Sequence, residues 1–362
     1  MDIHSLLVTV VSFAVAIGVL VFVHELGHFA VAKRAGVLVE RFSIGFGPVV
    51  LARRRGETEY AVSAIPLGGY VKMLGDEEGE DALANPERAF STQPVRRRAA
   101  IVFAGPAMNF VFAFLVYAVL FAVVGVENPS TEPRVGGVTP GLPAERAGLQ
   151  VGDRIVAIGD TPIETWEQLS KTIVASKGER LRLTVEREGA RFPLELVPEL
   201  HENRTVFGED AGKVYRIGVE MSVDWSRVGP LTAVGMAAQE TGGAAIMVLK
   251  GLKLMLSGRV PFRDLGGPIA IASAAGKQAR AGARYYLVTL AFLSVNLAVL
   301  NLLPIPALDG GHLAFFAIEG VMGRPLGARH RELALQVGIL LLITLIVFVS
   351  YNDIHRLVQN WG

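Results

Sequence analysis

Four stretches of this chain are each long and apolar enough to cross a lipid bilayer, and they restrict its fold more than any other feature. A hydrocarbon core of about 30 Å asks for roughly 20 mostly apolar residues in helix. Residues 5–23 supply the first stretch without a charge, and helix-forming sequence continues through His24, Glu25 and His28 to Lys33 and Arg34. Residues 99–126 supply the second, with Gly105, Pro106 and Asn109 near its start. The third, 285–308, carries Asn296, Asn301, Pro304 and Pro306, and the fourth, 333–350, is plainly apolar. Breakers inside lipid need protein partners for their freed backbone groups. The first stretch opens Met1-Asp2-Ile3-His4, without the basic start of a signal peptide, and is expected to be retained. With half of its 362 residues apolar, the chain reads as a multi-pass α-helical membrane protein of about four transmembrane helices.

Basic residues beside the spans set the expected orientation, because cytoplasmic loops collect Lys and Arg. Lys33, Arg34 and Arg96 to Arg98 bracket the loop after the first span, and Arg324, Arg329 and Arg331 lie in the loop before the last. Both loops are expected in the cytoplasm, with both termini and the long middle segment outside. Lys277, Arg280 and Arg284 run against this, but long translocated segments largely escape the rule.

The expected division follows. Residues 1–34 are the first transmembrane helix; 35–98 a cytoplasmic loop with membrane-associated β-hairpins; 99–126 the second helix; 127–227 a compact extracytoplasmic α/β domain; 228–284 an amphipathic membrane-surface region. Residues 285–312 are the third helix, 313–332 a cytoplasmic loop, and 333–362 the fourth helix and tail. In the outer domain, 153–158 and 180–187 read as strands, 144–149 and 166–176 as helices, and 215–221 as a last strand. The acidic run 76–81 reads as a solvated loop.

Cysteine is absent, so any metal must be held by His, Asp or Glu. A net charge of +1 with no basic-aromatic run leaves no footprint for nucleic acid. His24-Glu25-Leu26-Gly27-His28 fits the H-E-x-x-H pattern, which places two imidazoles one helical turn apart, able to share a zinc ion. Glu25 then stands beside the metal as the general base that activates zinc-bound water, whose pKa falls to about 7. Placement at the headgroup boundary is the competing reading of these three residues, because the penalty for burying a charge shrinks there.

A catalytic zinc of this type takes three protein ligands and keeps one open position. Asp309 is the expected third ligand, closing the third span in the run Asn301-Leu302-Leu303-Pro304-Ile305-Pro306-Ala307-Leu308-Asp309-Gly310-Gly311-His312. The prolines would unwind the helix there, and the glycines allow close backbone approach. Alone, Asp309 would read as a helix-end cap. His312 stays outside the ligand set, because a fourth protein ligand would close the site to water. Asn301 either donates a hydrogen bond to a substrate carbonyl or pairs with another helix. His4, His201, His330 and His355 read as surface residues.

These motifs, together with Phe103-Ala104-Gly105-Pro106-Ala107-Met108-Asn109, resemble the site-2 protease family of intramembrane zinc metalloproteases over almost the whole chain. The resemblance implies zinc on His24, His28 and Asp309, with Glu25 as the catalytic base, in a bacterial cytoplasmic membrane. It implies cleavage of single-span substrates such as anti-sigma factors after another protease has removed their outer part. It further implies that residues 59–73 form a re-entrant β-loop that pairs with the substrate as an extended strand, making Gly68, Gly69 and Tyr70 substrate contacts. A structural hairpin packed on the helices is the alternative. The outer domain resembles a PDZ domain through Val135 to Val138, Pro143 to Leu149, Gly152 to Ile155 and Trp166 to Leu169, which implies a peptide or protein ligand at a sheet edge. Relatives with two tandem copies differ, because the roughly thirty residues after Pro198 are too few for a second domain.

Two other classes compete. A transporter also uses broken polar helices, but no second half matches the first. A non-proteolytic membrane scaffold with a PDZ-like domain would usually lack Glu25 or one ligand, and all are present.

Overall fold

A computed structural model describes residues 2–75, 85–205, 210–261 and 266–359; the acidic run at 76–81 and Arg263 lie outside them. In chain order the elements begin with helix α1 (Ile3–Arg34), strands β1 (Val39–Arg55) and β2 (Thr58–Met73), and helix α2 (Val95–Val123). A β-rich segment follows: β3 (Val126–Pro129), β4 (Val135–Val138), α3 (Pro143–Arg146), β5 (Arg154–Ile158), β6 (Thr161–Pro162), α4 (Trp166–Ala175), β7 (Leu181–Arg187), β8 (Ala190–Leu196), β9 (Glu199–Arg204), β10 (Asp210–Arg216), β11 (Val219–Met221) and β12 (Val223–Ser226). The chain then runs through helices α5 (Pro230–Leu256), α6 (Pro268–Ala281), α7 (Ala283–Asn301), α8 (Asp309–Met322) and α9 (Ala328–Gln359). Two compact units result, one of residues 1–120, 231–256 and 261–362, the other of 121–230 and 257–260.

In the first unit, four described helices are long and apolar enough to cross a membrane: α1, α2, α7 and α9. The buried residues of α1, among them Ala16, Leu20, His24, Gly27 and His28, recur at helical spacing, so one stripe faces protein and both histidines lie on it. Helix α2 approaches that stripe closely. A Cβ on Gly27 would stand 2.2 Å from the Ala104 carbonyl oxygen, so only glycine allows this crossing.

The third span differs from expectation. Helix α7 stops at Asn301, and Asp309 is the first residue of the separate helix α8, which runs to Met322 into the loop expected over 313–332. Pro304 and Pro306 have no N–H to continue the ladder, and the N-terminal end of a new helix is the better place for a carboxylate. The region read as lying on the membrane surface holds α5 and α6, and α6 packs against protein. Its Gly276 would place a Cβ 2.2 Å from Thr9 Oγ1 of α1, and Asp353 of α9 accepts from the Gly267, Ile269 and Ala270 N–H groups at its start (2.9–3.0 Å). The helix of the fourth span thus continues past the apolar residues 333–350, and its buried Asp353 caps α6.

Strands β1 and β2 make a sheet larger than the hairpin expected over 59–73. Residues 41–44 pair both with 59–62 and with 69–72, while 49–55 pair with 58–63, so the spatial order is 49–55, 58–63, 41–44, 69–73. The bends fall where Gly45, Gly47 and Gly68 take positive φ (88°, 84° and 120°). Glu57, in the turn, accepts from Arg88 and from Lys33 at the end of α1 (both 2.7 Å), and these partners hold its carboxyl down to about 2.

The second unit is built on an antiparallel sheet in the order β6-β5-β7-β8. Glu188 and Gly189, both with positive φ, close the two-residue β7–β8 turn. A capping box between Thr165 and Gln168 starts α4, whose Leu169 and Ile173 pack on Ile155, Leu183 and Val185. The expected strand over 215–221 is divided at Gly218 (φ +85°) between β10 and β11. A groove of about 470 Å³ lies between α4 and residues 217–220, lined by Leu142, Trp166, Ile173 and Val219.

Candidate metal centre

His24 and His28 are buried, at 7% and 8% exposure, and their Nε2 atoms lie 3.1 Å apart. Asp309 Oδ2 stands 3.0 Å from His24 Nε2, and Oδ1 3.6 Å from His28 Nε2. One ligand atom from each residue lies within 4.8 Å of the others. Asp309 reaches this point because the chain turns between α7 and α8. Close packing holds the turn: Cβ atoms on Gly310 and Gly311 would stand 2.2 Å and 2.3 Å from the carbonyl oxygens of Leu303 and Ile305.

The rings are oriented from α2. His28 Nδ1–H donates to the Ile101 carbonyl (2.8 Å), which leaves the Nε2 lone pair toward Asp309. His24 Nδ1 faces Asn109 Nδ2 at 3.2 Å. Asn109 is fully buried, and Ser294 Oγ of α7 donates to its backbone carbonyl (2.9 Å). Gly105 presents bare backbone to the site, since a Cβ there would stand 2.3 Å from His28 Nε2 and 2.8 Å from His24 Nε2.

This chemistry fits a cation. Two imidazole nitrogens and a carboxylate converge, and Asp309 Oδ2 is buried with no hydrogen-bond partner. Nitrogen and oxygen ligands in a set of three match a catalytic zinc with a position left open.

Glu25 has His24, Asp309 and the Val71 backbone N–H as its electrostatic neighbours. Gly69 packs on it: a Cβ there would lie 3.3 Å from Glu25 Cγ and 2.8 Å from the Ser43 carbonyl oxygen. Asn301 Nδ2 is 3.4 Å from His24 Nε2, so the last residue of α7 sits at the site. Gly68 and Tyr70 lie elsewhere on the sheet. A Cβ on Gly68 would strike the Phe46 ring, while Tyr70 stacks on Phe46 (6.2 Å) and accepts from Arg41 Nη1 (3.2 Å). His312 is exposed.

Three parts of the site were not assigned from sequence: Asn109, Gly105 and the Ile101 carbonyl. The available signal was a glycine, a proline and an asparagine within five residues of an otherwise apolar span, each needing a protein neighbour.

The model of peptidase family M50 matches residues 12–345. A protein of Brucella suis biovar 1 with a provisional zinc-metalloprotease name is 40% identical over 97% of this chain and 96% of its own. The regulator of sigma-E protease RseP of Salmonella typhimurium is 33% identical over 98% of this chain and 100% of its own. That second alignment runs over 450 positions against 362 residues here, so the Salmonella protein carries extra length on the order of one small domain. Among solved structures, the PDZ domain of an SdrC-like protein from Listeria monocytogenes aligns with 26% of this chain and 93% of its own, at 16% identity and a TM-score of 0.20.

Proposed function

The chain belongs to peptidase family M50 and is a zinc metalloprotease, and on that footing we propose that it hydrolyses peptide bonds in the transmembrane segments of single-span proteins. One observation carries this reading. Glu25 neighbours both His24 and Asp309 of the ligand set and, at Gly69, the last segment of a β-sheet that has no further strand beside it among the described residues.

Bound zinc supplies a Lewis acid that polarises the scissile carbonyl and acidifies a water. His24, His28 and Asp309 hold it. Glu25 takes the proton of the attacking water on a carboxylate oxygen and returns it to the leaving amide nitrogen. Asn301 Nδ2 donates to the carbonyl oxygen as negative charge develops there. The backbone of residues 69–73 pairs with an unwound substrate, Gly68 bending the strand so that Gly69 presents its backbone beside Glu25, with Tyr70 flanking it. Strand addition replaces the amide hydrogen bonds a helical substrate gives up and fixes the carbonyl for attack.

Basic residues beside the spans support an orientation with both termini and the second unit on the outer side of a bacterial cytoplasmic membrane. The second unit is PDZ-like, and its groove beside α4 takes an extended peptide or protein segment. Substrates of anti-sigma type are what the family resemblance implies, and the sigma-E regulator name of the Salmonella relative supports that choice. A test is to incubate the purified chain with tagged single-span proteins and map the new termini by mass spectrometry. Termini inside the apolar segment support the proposal; cuts confined to soluble regions overturn it.

A further inference from the structure

Asn109 has the burial and position of a metal-site residue without being a ligand. Its side chain is fully buried, its Nδ2 stands 3.2 Å from His24 Nδ1, and its Oδ1 has no hydrogen-bond partner. An orphaned buried amide oxygen costs free energy unless it has a use.

The two faces of this amide select opposite His24 tautomers. With Nδ2 toward the ring, Nδ1 must accept, and the proton sits on Nε2, the nitrogen 3.0 Å from Asp309 Oδ2. With the amide turned over, Oδ1 accepts from Nδ1–H and the Nε2 lone pair faces Asp309, as a metal ligand requires. The Ile101 carbonyl already gives His28 that arrangement from the same helix. Ser294 Oγ, bonded to the Asn109 backbone carbonyl at 2.9 Å, fixes the position of this turn from α7, so the amide can turn over without the helix moving.

We infer that Asn109 is a positioning residue whose side-chain oxygen accepts the His24 Nδ1 proton and so sets the tautomer that binds zinc. The inference rests on the His24, His28 and Asp309 ligand set proposed above.

The test is zinc affinity of the purified full chain, measured by competition with a chromophoric chelator for wild type, Asn109→Asp and Asn109→Leu. Asp offers only acceptors, and Leu offers neither acceptor nor donor at similar volume. Asp is expected to bind within about threefold of wild type, and Leu roughly 10- to 100-fold more weakly. Wild-type affinity in Leu, or a tenfold loss in Asp, overturns the inference. If Leu does not fold, Asp alone decides, because it keeps the acceptor and removes the donor. Wild type that binds no zinc refutes the ligand set itself and this inference with it, a result distinct from any difference among the variants.

Discussion

Asp309 Oδ2 and His24 Nε2 stand 3.0 Å apart, and the carboxylate oxygen is buried without a hydrogen-bond partner. They come from helices 285 residues apart in sequence. Such an arrangement is costly unless a cation joins the pair, because a buried carboxylate oxygen without a partner loses its hydration without compensation.

Asp309→Asn keeps the shape and removes the charge. The purified variant is expected to retain less than about a tenth of the zinc held by wild type, since metal affinity here depends on an ionised ligand. Metal content by mass spectrometry checks this; equal zinc in both proteins would remove Asp309 from the ligand set.

Gly105→Ala tests the closeness of α2. The added Cβ would stand 2.3 Å from His28 Nε2, so the helices must separate or the ring must turn. Overpacking of this kind costs about 1–3 kcal/mol. Zinc content should fall together with the unfolding temperature, whereas Gly320→Ala in α8, where the added Cβ meets open space, should change neither.

The Arg98 guanidinium links α2 to α8: Nη2 donates to Glu319 Oε1 (2.5 Å), Nε donates to the Gln93 carbonyl (2.9 Å), and the ring of Phe316 lies beneath (4.9 Å). Both partners are largely buried. Removing one strands the other, at a cost of about 3–5 kcal/mol for a buried pair, whereas replacing both by apolar groups is closer to neutral. Glu319→Leu should therefore lower thermal stability more than the double variant Arg98→Met with Glu319→Leu.

In the second unit, burial alone would raise the Asp153 carboxyl, but hydrogen bonds from Arg187 and the Gln150 N–H hold it below the usual carboxylate range. A depressed folded value gives stability that is present above the unfolded value of about 3.9 and is lost as pH falls through the folded one. Thermal melts should show Asp153→Asn less stable than wild type by roughly 1.5–3 kcal/mol at pH 7, with the difference shrinking below about pH 4.

Much of the site was legible because it rests on local spacing. His24 and His28 share a face by helical period alone, and Asp309 stood out as a carboxylate after a proline-broken apolar run. Asn109 and Gly105 were harder, because their roles depend on which helix crosses α1 at Gly27, and periodicity within one span does not name its neighbour. The double pairing of residues 41–44 was hidden for a similar reason: apolar alternation identifies strands, while register depends on where Gly45, Gly47 and Gly68 bend them. The early end of α7 follows from Pro304 and Pro306, yet the apolar run continuing past them to 308 carries the expected span through both prolines.

The most direct measurement is cleavage of a tagged single-span substrate by the purified chain, comparing wild type, Glu25→Gln and chelator-treated protein before and after zinc is restored. Glu25→Gln should keep its zinc and lose about 10²- to 10⁴-fold in rate, the usual contribution of a general base, and chelated wild type should recover with zinc. Cleavage by Glu25→Gln at the wild-type rate, or wild-type cleavage that survives metal removal, would contradict the account.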